Sequence, residues 1–458
     1  MSAIFVHLSD IHFGQEKDGS PMVVNADARD RLIDDARTEV AKLGGKATGV
    51  IVTGDIAYSA QRKQYQEAGA WLARLTDAIG CDQIDVQMVP GNHDIDRNKI
   101  SITMESVLFA AREGGDKMLD PHLDNVAECK TLYERFEAYA DFALDYQCDL
   151  DLKGSISTSG TLDLAEGRSI RFVRINSALI CSKNDSEGKL ILGGRQRVLP
   201  IEDGVEIVVL VHHPLNWFSD SEAARGYLKG RARVFISGHE HFPKLKVEAV
   251  EDGCDLMMLA AGATNPDDID ETFTYKYNIL VFDWDEEKDA LSVTINPRTW
   301  NAGMQRFERD DAFLEGIEER QVLASPNFRK APKPVLAKAP GQEVAEADEP
   351  EVVEEPVPIE VQVLGATEEA AETMAEAEAE PPPSTDARLL QLRFFQELAG
   401  SERTAALIDL GAVNQGQADN LDHAMERRLF RRLVRQGKTQ EIEQRLDAGK
   451  TEKDGQAA

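Results

Sequence analysis

Short runs rich in β-branched residues alternate with longer stretches of helical periodicity over the first 300 residues, and no other feature constrains the fold of this chain as strongly. The runs fall at 4–8, 49–53, 84–89, 170–175, 206–211, 233–237, 255–259, 278–284 and 291–295. This is the pattern of a layered α/β domain. Between the first two runs, Leu32, Ile33, Ala36, Val40 and Leu43 recur at helical spacing before Gly44-Gly45 ends the stretch. A second helix is predicted over 61–79, stopped at Gly80. Leu132, Phe136, Tyr139 and Ala143 repeat every three or four positions, so 95–147 reads as a helical insertion in a domain spanning 1–325.

The composition then changes. Proline, alanine and glutamate dominate 326–386, and between 339 and 387 stand fifteen acidic residues with no lysine or arginine. Such a segment buries too little apolar surface to offset its ordering entropy, and its like charges repel, so a disordered acidic linker is expected. Past it, Leu389, Leu392, Phe395, Leu398, Leu429 and Leu433 restore helical spacing, which predicts a small all-α module over 387–449. Its basic residues Arg427, Arg428, Arg431, Arg432, Arg435 and Lys438 read as a solvated helical face, ahead of a phosphate or acidic-partner contact. The net charge of −31 is not confined to the linker, so no general electrostatic pull on nucleic acid is expected. Five scattered cysteines without CxxC spacing argue against a disulfide framework and a zinc ribbon. No apolar run reaches membrane-spanning length and the N-terminus lacks a signal-like core, so a cytoplasmic protein without membrane contact is expected.

Five motifs each follow an apolar run: Asp10-Ile11-His12, Gly54-Asp55, Gly91-Asn92-His93-Asp94, His212-His213-Pro214 and Gly238-His239-Glu240-His241. In an α/β sheet the loops beyond the strand carboxyl ends converge on one rim, where residues far apart in sequence meet. Carboxylates, an amide and imidazoles without thiolate suit hard-to-borderline divalent cations. A single carboxylate can span two cations ~3.5–4 Å apart, and Asp55 is the natural candidate. Glycines stand before Asp55, Asn92 and His239, where the chain leaving a strand turns sharply and its backbone comes close to the site. His7 reads as a packing residue on a strand.

The ordered set resembles the calcineurin-like metallophosphoesterase superfamily across residues 1–300, which implies a layered β-sandwich flanked by helices and a hydrolase acting on phosphate esters. By that resemblance Asp10, His12, Asp55 and His241 hold a first metal, and Asp55, Asn92, His212 and His239 a second, with Mn, Fe or Zn compatible with the ligands. His93 becomes the acid that protonates the leaving alkoxide, with Asp94 orienting it and favouring its imidazolium form. His213 is left between a position behind the ligands and a substrate contact. Arg97 could grip a phosphate or nucleic-acid backbone, or be solvated; Tyr58 could stack on a base, or pack.

The Gly-Asn-His-Asp and Gly-His-Glu-His forms look more like the phosphodiesterase and nuclease branches than the serine/threonine phosphatases, which puts a nucleotide or nucleic acid among the substrates. A phosphomonoesterase is one alternative. Another is a signalling adaptor whose phosphoesterase domain mainly binds a phosphorylated ligand. The segments 393–398 and 433–438 resemble the effector-associated adaptor domains of bacterial conflict systems, which implies a protein partner for the helical module.

Overall fold

The computed structural model describes residues 2–15, 22–250, 253–266, 274–331, 385–398, 400–413 and 423–456. Two sheets form the first domain. One runs in the order β12-β11-β10-β1-β2-β3, from β1 (Ala3–Leu8), β2 (Gly49–Val52), β3 (Val86–Met88), β10 (Lys276–Asp285), β11 (Ala290–Asn301) and β12 (Arg306–Arg309), with β13 (Arg320–Leu323) also paired to β11. The other runs β4-β5-β6-β7-β9-β8, from β4 (Ser157–Ala165), β5 (Arg168–Arg174), β6 (Val205–Leu210), β7 (Ala232–Ser237), β8 (Lys244–Val250) and β9 (Cys254–Ala260). Strands β1, β2 and β3 are parallel, as are β5, β6, β7 and β9.

The sheets pack face to face through Phe5, Ile51, Phe172, Val208, Val234, Leu259, Phe282 and Val293, all buried. On the outer face of the first sheet lie α1 (Met22–Leu43) and α2 (Arg62–Ile79). Helix α2 starts where Gln64 Oε1 accepts from the backbone N–H of Gln61 at 3.0 Å, and stops at Gly80, whose φ of 76° is left-handed. The insertion supplies α3 (Ile102–Gly114), α4 (Asp116–Asp124), α5 (Val126–Tyr133) and α6 (Glu137–Asp145), as its periodicity predicts. Helix α6 turns Tyr139 and Phe142 into the core beneath α2, while α7 (Ser221–Arg231) covers the second sheet.

Four strands escaped the sequence reading: β4, β8, β12 and β13. They lie at the sheet margins, where one face and one edge meet solvent, so alternating polar sequences such as Lys244–Val250 suffice. The domain also runs past Ser325. A short helix at Pro326–Lys330 buries Phe328 completely, and the Asn327 backbone N–H donates to Glu206 Oε1 at 2.8 Å, so 326–331 belong to the domain and not to a linker. The rest of the predicted linker, 332–384, lies outside the described residues.

The C-terminal module comprises α8 (Thr385–Glu397), α9 (Gly400–Asp409), α10 (His423–Arg435) and α11 (Thr439–Gln456). Phe394, Leu407, Phe430, Leu433, Ile442 and Leu446 form its own core. Its basic helix departs from the expected solvated face at Arg427. Arg427 is 3% exposed and donates to Asp145 Oδ1 at 2.6 Å and the Asp141 carbonyl at 2.5 Å, because α10 lies against α6. Among the described residues no helix is long and apolar enough to cross a membrane.

Candidate metal centre

The five motifs meet where the two sheets face each other, at the carboxyl ends of β1, β2, β3, β6 and β7. Backbone bonds weld the loops together. The N–H groups of Asp10, Ile11 and His12 donate to the carbonyls of Gly54 and Asp55, and the N–H of Asn265 donates to the Asp10 carbonyl at 3.0 Å. The glycines are explained by close approach: a Cβ on Gly91 would sit 2.0 Å from Asp55 Oδ1, and one on Gly238 would sit 1.9 Å from Ser9 Oγ.

Asp10, His12, Asp55, His239 and His241 all have left-handed φ between 52° and 71°, five of nine such non-glycine residues among those described. That backbone costs ~1–3 kcal/mol per residue and persists only where the surroundings impose it. Here it turns ligand atoms inward. Asp10, His12 and His241 form one group whose ligand atoms lie within 4.8 Å of one another; Asp10, Asp55 and His212 form another; His212, His213 and His239 a third; His12, Asp55 and His93 a fourth. Asp55 Oδ2 is 3.3 Å from His12 Nε2 and 3.3 Å from His212 Nε2. Asn92 Oδ1 is 3.1 Å and His239 Nδ1 3.2 Å from the same His212 nitrogen.

These residues fit a divalent cation on two observations. Asp10 Oδ1 is buried without a hydrogen bond of ordinary geometry, and His241 Nε2 stands 3.3 Å away. His212 Nδ1 is 2.8 Å from the Thr53 carbonyl, which can only accept, so Nδ1 carries a hydrogen and Nε2 is the nitrogen turned to the cluster, free to exchange a proton for a cation. The electrostatics agree. Burial would lower the pKa of His212, but Asp55 and Asp10 hold it at about 9, while burial and His212 push His239 down to about 4. Burial would likewise raise Asp55, yet His212 and His93 hold it well below the usual carboxylate range. The two buried carboxylates demand positive charge, which cations can supply.

His93 lies beside this cluster, its ring 4.9 Å from that of His12 and its Nδ1 2.8 Å from the Tyr58 carbonyl. Asp94 does not orient it. The Asp94 carboxylate points away from the cavity and accepts from the N–H groups of Ile56, Ala57 and Gly91 and from Tyr65 Oη at 2.8 Å. It staples the loops that carry Asp55 and Asn92. Burial and Asp55 push Asp94 up to about 6, and His93 is lowered, chiefly by burial, so imidazolium is not favoured as the sequence had suggested.

The substrate candidates divide. Tyr58 is half-buried and stacks on His93 with centroids 5.2 Å apart, and Arg97 reaches the rim with Nη2 3.4 Å from the Asn92 carbonyl. His213 is fully buried, bonded to Ser177 at 2.9 Å, with its ring 4.4 Å from that of His239, which it supports from behind. His7 packs on its strand, 3.1 Å from Thr53 Oγ1. Two residues escaped the sequence reading. Trp217 stands edge-on to His239 at 4.1 Å, and Tyr65 holds Asp94; either aromatic, read alone, is an ordinary packing residue.

Comparison with known proteins follows the same division. The family model described as GTPase-associated adaptor domain matches residues 386–448. The metallophosphoesterase-like protein YydB of Bacillus subtilis (strain 168) is 24% identical over 282 residues, 58% of this chain, and the chain spans only 55% of that protein's length. Among solved structures, the sulfate thiohydrolase SoxB of Thermus thermophilus is 13% identical with a TM-score of 0.34, covering 69% of this chain and 60% of its own. The NAD nucleotidase of Haemophilus influenzae is 11% identical with a TM-score of 0.30, covering 70% and 56%. The model of the calcineurin-like phosphoesterases matches residues 4–243, more than half of the 458-residue chain and all five motifs at the rim, and the chain therefore belongs to the calcineurin-like phosphoesterase family.

Proposed function

We propose that this protein hydrolyses phosphodiester bonds with two divalent cations that share Asp55. One observation carries the reading: Asp55 Oδ2 is equidistant, at 3.3 Å, from His12 Nε2 and His212 Nε2, which belong to different ligand groups. Asp10, His12 and His241 would complete the first site, and Asn92, His212 and His239 the second. When bound, such cations supply Lewis-acid charge and make hydroxide available near neutral pH.

The chain's own residues do the rest. The Asn92 amide, beside His212, and the Arg97 guanidinium, at the rim, would hold non-bridging oxygens of the phosphate. His93 Nδ1–H is committed to the Tyr58 carbonyl, so Nε2 is the atom that carries a proton to the leaving alkoxide. Its lowered pKa makes that proton readily given up, although only part of the population holds it at neutral pH. Tyr58, stacked on His93, lines the same side and suits a leaving group with a planar ring, such as a nucleoside. The match of the tail to an adaptor domain supports recruitment of the enzyme to a protein partner.

A panel of aryl monoester, aryl diester, cyclic nucleotide and single- and double-stranded DNA and RNA, assayed with Mn²⁺, tests this. Diesters should be preferred over the monoester. Turnover confined to the monoester would replace the diester reading, and binding without turnover of any ester would favour the adaptor alternative.

A further inference from the structure

The helical module touches the catalytic domain at a built contact. Leu392 of α8, fully buried, lies in the same apolar cluster as Phe142 and Tyr146, outside the module's own core. Gln396 Nε2 donates to Tyr146 Oη at 2.6 Å. Arg427 of α10 pairs with Asp145, both nearly buried, and its guanidinium lies 4.5 Å over the Phe395 ring. The receiving side is shaped for this. Gly69 sits inside α2, where glycine weakens a helix, and a Cβ there would stand 3.0 Å from the Gln396 amide nitrogen and 3.4 Å from the Phe142 ring.

The receiving face leads to the metal loops. Phe142 packs on Tyr65 with centroids 5.1 Å apart, and Tyr65 Oη donates to Asp94, whose carboxylate also holds the backbone of Ile56, Ala57 and Gly91. The loops so stapled carry Asp55 and Asn92, and the His93 N–H closes the circuit by donating to Asp55 Oδ1 at 2.8 Å. We propose that the α2–α6 face is a docking surface for this chain's own helical module, and that the seated module steadies the metal loops through Tyr65, a positioning residue for phosphate-ester hydrolysis. A protein that draws the module away would therefore lower turnover. The proposal rests on the proposed metal site, whether or not diesters are preferred.

The test uses the full chain with Mn²⁺. Gly69→Leu fills the contact while favouring the α2 helix, and Arg427→Asp removes the buried pair. Docking is read by amide hydrogen exchange across α6, the metal loops by the Mn²⁺ half-saturation in calorimetry, and turnover on both a nitrophenyl monoester and a nitrophenyl diester. Both variants should speed α6 exchange, weaken Mn²⁺ binding and lower turnover, each by about 3- to 10-fold, the scale of coupling through a packed path. Arg427→Asp combined with Asp145→Arg should restore all three.

Tyr65→Phe should lower turnover and Mn²⁺ affinity with the module still docked, and adding Gly69→Leu should cost nothing further. Tyr139→Phe, in the same cluster but with a hydroxyl that has no partner, should change neither. Release of the module with unchanged Mn²⁺ affinity and turnover, or losses that multiply in the Tyr65 and Gly69 double variant, would overturn the coupling. Unchanged α6 exchange in both Gly69→Leu and Arg427→Asp would overturn the docking surface. Absent turnover of either ester would count against the proposed function, while exchange and Mn²⁺ affinity would still decide this proposal.

Discussion

The two sides of Asp94 are held by different forces. Toward the rim, Asp10, Asp55 and His212 are buried against one another with left-handed backbone at two of the three, an arrangement that is costly until a cation occupies it. Toward α2 and α6, Tyr65, Phe142, Tyr146 and Leu392 interlock as apolar surface, and Gln396 and Arg427 pin the module in register. The metal side should thus respond above all to the loss of a charge, and the module side to added bulk and to the buried Arg427–Asp145 pair. A substitution that violates this division locates the boundary between them.

The largest effect is expected at the shared ligand. Asp55→Asn keeps the shape but removes the charge that offsets two cations, so activity should fall below detection and metal analysis should show loss of bound ions. Two tightly held ions with normal rates would remove Asp55 from the centre of the site. His93→Ala should keep the metals and slow turnover by ~10²–10⁴ on an alkyl ester, and by much less on nitrophenolate, which leaves without a proton. Equal losses on the two leaving groups would exclude His93 as the acid.

On the other side, Phe430→Ala opens a cavity in the module core, where Phe430 is 1% exposed and its ring lies 5.0 Å from that of Phe394. The expected cost is ~3–5 kcal/mol, seen as faster amide exchange in α8 and α10 with protection in β1 and β10 retained. Equal loss in the strands would mean that the two cores unfold as one.

The smallest effect concerns pH. An acid must be protonated to act, and burial holds His93 below its ordinary 6.5. The ratio of the alkyl-ester rate to the nitrophenyl-ester rate should therefore rise as pH falls from 7.5 toward 5.5. Both rates share the loss of metal to protons at low pH, so the ratio isolates His93. A flat ratio would place the leaving-group proton elsewhere.

That these carboxylates, the amide and the imidazoles gather at one rim was legible in the residues alone, because they stand at strand ends in a fixed order along the chain. Helices such as α2 and the insertion were legible for a similar reason: a 3.6-residue period is a local property. The marginal strands β4, β8, β12 and β13 were not, since an edge strand needs no apolar run. Only the fold decided that Asp94 staples loops rather than orienting His93, that His213 props His239 from behind, and that Arg427 is buried against Asp145. Adjacency in sequence says nothing about which way a side chain leaves a turn, and an arginine on a helix reads as solvated until another element arrives to cover it. The sequence by itself determined which side chains gather at the candidate metal centre; the tertiary structure decided what holds them still, because support comes from partners tens or hundreds of residues away whose own local pattern is that of ordinary core.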